Sequence, residues 1–354
     1  MKLQENELYL DDVKYVAGID LPWDKLQNKS IMISGATGTI GSFLIDVLIY
    51  KNKVDHLNCT IYALGRNAQK MKDRFGEDFF DSHFIFIEYD VNYPLTGNGI
   101  GDVDYILHLA SNTHPLQYAT DPIGTITINI IGLNNLLEFA VQHNSTRFAF
   151  ASSCEIYGEN RGDEEFFDED YCGYINSNTM RAGYPESKRC GEALCQAYKA
   201  QKEMDVVIPR LTRTYGPTMP NSDTKAISQF LKKGIAGEDI VLKSEGTQLY
   251  SYQYVADSVS GLLTVILNGE NGEAYNIAEE NSDITLKDLA AMIANLNGKE
   301  VVFDIPDATE SAGYSKATKA RLNGSKLMSL GWKPRFDIAS GIERTIRILK
   351  DISA

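Results

Sequence analysis

Ser153, Glu155, Tyr184 and Lys188 are residue types that can move a proton and a hydride together. Ser153 and Glu155 stand in the run Ala151-Ser152-Ser153-Cys154-Glu155-Ile156-Tyr157-Gly158, and Tyr184-Pro185-Glu186-Ser187-Lys188 follows at the start of a helical pattern. A Tyr-x-x-x-Lys spacing puts both side chains on one helix face. The lysine cation is expected to lower the phenol's pKa toward working pH. A phenolate then serves as the base for a hydroxyl whose carbon gives up a hydride. Ser153 would hydrogen-bond the same oxygen.

Such chemistry needs a hydride acceptor and elements to hold it. The stretch Ser30-Ile-Met-Ile-Ser-Gly-Ala-Thr-Gly-Thr-Ile-Gly-Ser-Phe-Leu44 provides both. An apolar run predicts a buried parallel strand, and Ile40, Phe43, Leu44, Val47 and Leu48 predict a helix after it. Between them Gly35 permits a tight turn, Gly38 lets the backbone approach a pyrophosphate, and Gly41 lets the helix pack on the strand. With Thr37, Thr39 and Ile40 these form a dinucleotide-binding turn, its phosphates on the helix N-terminus. Further strands are expected at 60–64, 84–87, 105–109, 147–151 and 206–208, with helices at 123–143 and 184–202. This alternation predicts an α/β fold with a Rossmann-like, doubly wound parallel sheet. Strand two ends in Gly65-Arg66 rather than an acid, and Arg66 can pair with a 2′-phosphate or stack on adenine, which leaves NAD and NADP both open. Asp90 and Val91, ending strand three, can contact adenine. Lys188 would also hydrogen-bond the nicotinamide ribose.

The rhythm changes after Arg210. Residues 211–354 are expected to form mainly a smaller, less regular substrate-binding lobe over the C-terminal edge of the sheet, with some segments returning to the 30–210 domain. Residues 1–29 read as an extension packed on that domain. Of the 354 residues, 43% are hydrophobic and 23% charged, with a net charge of −14. An acidic chain is a poor partner for nucleic acid or an anionic membrane. No apolar run is expected to reach membrane-spanning length. Five cysteines without metal-ligand spacing, and a polar N-terminus, read as reduced thiols in the cytoplasm and no metal site.

The chain resembles the extended short-chain dehydrogenases/reductases of the nucleotide-sugar epimerase, dehydratase and decarboxylase type, over about residues 30–350. The likeness rests on the glycine turn, His108-Leu109-Ala110-Ser111, Asp121-Pro122-Ile123 through Asn129, Ser153-x-Glu155-x-Tyr157-Gly158, Tyr184-x-x-x-Lys188, Pro209-Arg210, Tyr215-Gly216-Pro217, Tyr254-Val255-x-Asp257 and Leu330-Gly331-Trp332-Lys333-Pro334. It implies cofactor contacts at Leu109, Ala110, Ser111, Asn129 and Arg210, a tightly held cofactor, a homodimer formed through two helices beside the sheet, and oxidation of a nucleotide-diphosphate sugar to a 4-keto intermediate. Decarboxylation of UDP-glucuronate is the leading reading, with 4-epimerisation or 4,6-dehydration as alternatives. A net NADPH-dependent carbonyl reductase and a non-catalytic dinucleotide sensor are further classes. Dehydratases of this type carry an Asp-Glu pair where this chain has Cys154-Glu155, which counts against dehydration. Glu155 and the run from Asp170 to Tyr184 are similar to the UDP-glucuronate decarboxylases. Those enzymes have an arginine where this chain has Tyr250, and an asparagine where it has Arg213, which implies altered handling of the sugar or phosphate. A diphosphate needs cations, and the candidates are Arg181, Arg213, Lys316, Lys319 and Arg321. His114 is a candidate to face the sugar.

Overall fold

The computed structural model describes residues 2–96, 100–113, 115–304 and 318–353. Helix α1 (Glu7–Ala17) is capped by Asn6, whose side chain accepts a hydrogen bond from Tyr9 N at 3.1 Å. The glycine turn then joins β1 (Ser30–Ser34) to α2 (Thr39–Asp55). The chain continues through β2 (Thr60–Gly65), α3 (Ala68–Phe75), β3 (Phe84–Glu88) and β4 (Tyr105–His108). Two short helices follow, α4 (Pro115–Thr120) and α5 (Pro122–Thr127), then a π-helical turn at Ile128–Gly132 and α6 (Leu133–Gln142). Next come β5 (Arg147–Phe150), β6 (Ser152–Ser153), α7 (Gly183–Lys202), β7 (Val206–Leu211) and β8 (Arg213–Tyr215). The remaining elements are α8 (Ala226–Ile235), β9 (Ile240–Leu242), β10 (Leu249–Tyr254), α9 (Val255–Asn268), β11 (Ala274–Ile277), β12 (Asp283–Thr285), α10 (Leu286–Leu296), β13 (Val301–Phe303), β14 (Lys319–Ala320), α11 (Ser325–Ser329) and α12 (Ile338–Ser353).

The expected doubly wound sheet is present. Its strands run β11-β7-β5-β4-β1-β2-β3, with β6 beside β7, and every pairing is parallel. Alternate side chains enter opposite layers. Ile31 and Ile33 join the core with α1, α2 and α9, whereas Met32 joins the core with α6 and α7. Residues 274–277 return from the second half to extend this sheet as an edge strand. The rest of that half supplies a smaller mixed sheet, β12-β10-β14 with β8 beside β10, and a parallel β9–β13 pair.

Residues before β1 are tied down by buried polar groups. Asp12 accepts from Tyr254 Oη at 2.6 Å and from Arg344 Nε at 2.8 Å, linking α1 to β10 and α12. Tyr15 Oη donates to Asp257 at 3.0 Å. One expectation needs correction. Residues Pro122–Gln142 form a 21-residue helical run with an 18-residue window of mean hydropathy 1.2, long and apolar enough by those measures to cross a membrane. Half of it is buried against the sheet and α7, which is how the core helix of a layered α/β fold passes the same test.

Candidate active site

The C-terminal ends of the large sheet open into a cleft of about 840 Å³. At one end lies the glycine turn. Gly35 has φ +74°, in the left-handed region, and a Cβ there would stand 2.8 Å from Ala110 N and 2.9 Å from Leu109 C. A Cβ on Gly41 would collide with Gly35 O. No side chain caps α2, whose N-cap is Gly38, so its first-turn N–H groups are left to a ligand. Thr37, Thr39 and Ile40 line the same turn. This backbone cradle fits a dinucleotide pyrophosphate, because no side chain stands where the phosphates must approach. Arg66 ends β2, Asp90 and Val91 follow β3, and Leu109, Ala110 and Ser111 follow β4; all six line the cleft. Ser34 Oγ accepts the N–H groups of Leu109 and Ala110, both at 3.1 Å, and is itself 2.7 Å from His108 Nδ1. Burial pushes His108 down to about 3, so the ring is neutral and serves this turn.

Two expected cofactor residues are placed elsewhere. Asn129 lies behind the cleft wall in the π-helical turn, accepting from Ser111 Oγ and donating to Ser187 Oγ, each at 3.0 Å. It holds Ser111 against α7. Arg210 points away from the cleft on β7 and makes a two-pronged ion pair with Glu192, at 2.8 and 3.1 Å. It also donates to Tyr157 Oη at 3.0 Å and Glu169 O at 2.6 Å. Its donors are spent on the fold, which corrects the reading of it as a cofactor contact.

At the middle of the cleft, Tyr184 and Lys188 occupy the first turns of α7 with Ser153 opposite. Ser153 Oγ accepts Glu155 N at 3.2 Å, and its hydroxyl is placed to pull the Tyr184 phenol's pKa down. Lys188 Nζ donates to Ala151 O at 2.7 Å and lies 4.6 Å from the Phe150 ring centroid. The expected lowering of the phenol by lysine is not what the geometry produces. Burial, then the nearby Glu155 charge, push Tyr184 above its ordinary value, and only Ser153 and the more distant Arg181 pull it down. Lys188 itself is pushed down to about 7, because desolvation outweighs the pull of Glu192. Glu155 receives Arg181 Nη2 on both oxygens, at 2.9 and 2.8 Å. The Arg181 guanidinium lies 4.7 Å over Tyr118, and Tyr118 stacks on Tyr184 with centroids 5.1 Å apart and planes at 29°.

At the far end Arg213 and Tyr250 face the cleft. Arg213 Cζ lies 3.5 Å above the Tyr250 ring, and its Nη1 is 3.7 Å from Cys154 Sγ. Lys319 is not with them. It sits in β14, paired with Leu249, and does not line the cleft. Arg321 is bound to Asp283 and Glu165, at 2.7 and 2.9 Å. His114 and Lys316 lie outside the described residues.

Residues 31–278 match the NAD dependent epimerase/dehydratase family. The chain belongs to this family. It is therefore an NAD-dependent enzyme of the extended short-chain dehydrogenase/reductase type. Among its epimerase/dehydratase relatives are UDP-glucuronic acid decarboxylase 1 of Xenopus tropicalis, 30% identical over 91% of this chain and 72% of the relative, and UDP-glucuronic acid decarboxylase 5 of Arabidopsis thaliana, 30% identical over 89% and 87%. The fold is shared with the UDP-glucuronic acid 4-epimerase of Bacillus cereus, solved with UDP-glucuronic acid and NAD, at TM-score 0.78 and 22% identity over 91% of this chain and 99% of that one. It is likewise shared with DesIV, the dTDP-glucose 4,6-dehydratase of Streptomyces venezuelae, at TM-score 0.77 and 22% identity over 91% and 97%.

For this family member, sequence reasoning missed Tyr118, since no spacing rule connects residue 118 to residue 184. It also missed that Arg181 is committed to Glu155. The Lys188 environment carries a pH signature. Its folded pKa of about 7 lies below the ordinary 10.5, so between those values the unfolded chain binds the extra proton. Stability of the cofactor-free protein is therefore expected to rise as pH goes from about 7 toward 10.5. Chemical denaturation across that range checks it. Lys188→Met should flatten this part of the profile, and an unchanged profile in that variant would show that other groups cause it.

Proposed function

We propose that this NAD-dependent enzyme decarboxylates a UDP-glucuronate-like nucleotide sugar through a 4-keto intermediate, with no net redox change. The observation that carries the reading is Glu155, bound on both oxygens by Arg181 beside Ser153 and Tyr184, with the thiol Cys154 where a dehydratase would need an acid. The family resemblance and the decarboxylase relatives support the substrate class. NAD, when bound in the glycine cradle, supplies a hydride acceptor and a positive charge beside the phenol. Tyr184 takes the proton from the C4 hydroxyl as that carbon is oxidised, Ser153 holds the same oxygen, and Lys188 anchors the cofactor ribose. The resulting β-keto acid breaks its C5–C6 bond, carbon dioxide leaves, and the electron pair moves into the C4 carbonyl as an enolate. Protonation at C5 leaves a 4-keto pentose, which would return to the alcohol at C4 with reduced cofactor held in the glycine cradle.

The remaining site roles follow the same reading. Gly35 through Gly41, Arg66, Asp90, Val91, Leu109, Ala110 and Ser111 hold the cofactor, and Arg181 and Arg213 face the substrate. A second cofactor reading, NADP, is supported by two cations that line the cleft after β2, Arg66 and Lys70. We read the protein as a cytoplasmic homodimer with neither membrane nor nucleic acid as partner. The exposed side chains of Leu116, Ile123, Ile126 and Ile131, beside α7, are the apolar face that a second copy would cover. Leu194 on α7 is partly buried, whereas Tyr198 is spent on core packing and bonds to Asn134 and Glu138.

Mass spectrometry of UDP-glucuronate incubated with the enzyme, with NAD or NADP supplied separately, tests the proposal. Loss of carbon dioxide is the expected result. Unchanged mass with a new chromatographic peak would replace it by epimerisation, and, in a parallel incubation with a hexose nucleotide, loss of water by dehydration.

A further inference from the structure

Three arginines among the described residues line the cleft, Arg66, Arg181 and Arg213. Their charges are disposed of differently. Arg66 belongs to the cofactor end. Arg181 is balanced by both oxygens of Glu155. Arg213 makes no ion pair among the described residues, and the Glu155 carboxylate, engaged by Arg181, acts on it only through space. Its guanidinium lies 3.5 Å over the Tyr250 ring and its Nη1 is 3.7 Å from Cys154 Sγ, and among the described residues no carboxylate pairs with it. Burial pushes the Cys154 thiol up, so this neighbour is neutral.

Taking a cation out of water without a counter-charge is costly. The arrangement is sensible where a ligand brings that charge. An aromatic face and a thiol fix a guanidinium in place, yet leave its charge and its remaining N–H donors uncommitted. The seat is built into the second sheet. Arg213 on β8 is the register partner of Tyr252 on the adjacent parallel strand β10, and Tyr250 lies two residues away on the same face of that strand. Its place is equally defined, because Cys154 lies between Ser153 and Glu155, at the sugar end.

We propose that Arg213, seated on Tyr250 and Cys154, receives anionic oxygens that the nucleotide sugar presents at this end of the cleft, and that Tyr250 is a positioning residue for it. This rests on the nucleotide-sugar reading above. The anion is a carboxylate or phosphate group, and the two sources separate by experiment. Enzyme loaded with NAD is titrated calorimetrically with UDP, UDP-glucose and UDP-glucuronate. Arg213→Gln is expected to weaken binding by about 10- to 100-fold. A loss confined to UDP-glucuronate assigns the sugar carboxylate, and a loss shared by all three ligands assigns the diphosphate. Arg213→Lys should recover part of the affinity, which a packing defect would not allow, and NAD content equal to the wild type shows that the cleft is intact. Tyr250→Phe, which keeps the ring face, should stay within about threefold, whereas Tyr250→Leu should weaken the same ligands as Arg213→Gln by about 3- to 10-fold. Wild-type affinity of Arg213→Gln for all three ligands overturns the proposal, and equal behaviour of the Phe and Leu variants overturns the role of Tyr250. A wild-type enzyme that retains NAD but binds none of the three overturns the functional reading itself.

Discussion

Replacing Tyr184 with Phe is expected to lower kcat by about 10²- to 10⁴-fold, the usual worth of a positioned acid–base group. The phenol is the group that meets both Ser153 and the space above Lys188. Phe preserves the ring that stacks on Tyr118 at 5.1 Å. Substrate affinity and NAD content should therefore stay within about threefold, so the loss falls on the chemical step. Single-turnover formation of reduced nicotinamide on the enzyme, followed by absorbance, reads this directly. A Phe variant that keeps more than about a tenth of the wild-type rate would remove Tyr184 from the proton transfer. The cofactor-free protein holds this phenol above its ordinary pKa. With Tyr184 as the base, the rising, acidic limb of a kcat–pH profile in the loaded enzyme is where the charge of an oxidised nicotinamide would show itself, by moving that limb to lower pH.

Gly35→Ala is expected to abolish NAD retention and to cost about 2–5 kcal/mol of stability. About 1–2 kcal/mol comes from forcing a left-handed backbone on a residue with a Cβ. About 1–3 kcal/mol comes from overpacking, since the new Cβ would stand 2.8 Å from Ala110 N and 2.9 Å from Leu109 C, which are backbone atoms that cannot swing away. Gly162→Ala is the matched control. That glycine also has a positive φ, +84°, but a Cβ there meets nothing within 4 Å. It should lose only the strain contribution and keep its cofactor. Denaturant melts and the absorbance of released nicotinamide nucleotide measure both variants. Equal losses in the two would mean that the Gly35 turn is not shaped by contact with the β4 end.

Six strands of the large sheet were legible because each is a short apolar run bounded by turn residues, with helices of helical apolar period between them, whereas the two-residue β6 and the returning edge strand β11 were not read. The glycine turn was legible for a stricter reason. Its three glycines stand where a Cβ would touch other backbone, so residue type and geometry constrain each other. Tyr184 and Lys188 were legible because four residues is close to one helical turn. Arg210 was misread because a strand residue's face depends on register, and β7 aims it at Glu192 on α7 rather than into the cleft. Lys319 was misread because a basic run says nothing about which edge it will join.

What the sequence by itself determined is therefore the local part: the order of strands and helices, the phosphate-binding turn, and the spacing of the proton-transfer pair. The tertiary structure alone decided how the charges are spent. Glu155 and Arg181 are 26 positions apart, and Arg213 and Cys154 are 59 apart. No period or propensity relates such distances. Only the packing of α4, α7, β8 and β10 around one cleft neutralises Arg181, leaves Arg213 on an aromatic seat, and puts Tyr118 against the catalytic phenol. Electrostatic pairing depends on through-space distance and desolvation, and both come into being only when the layers close.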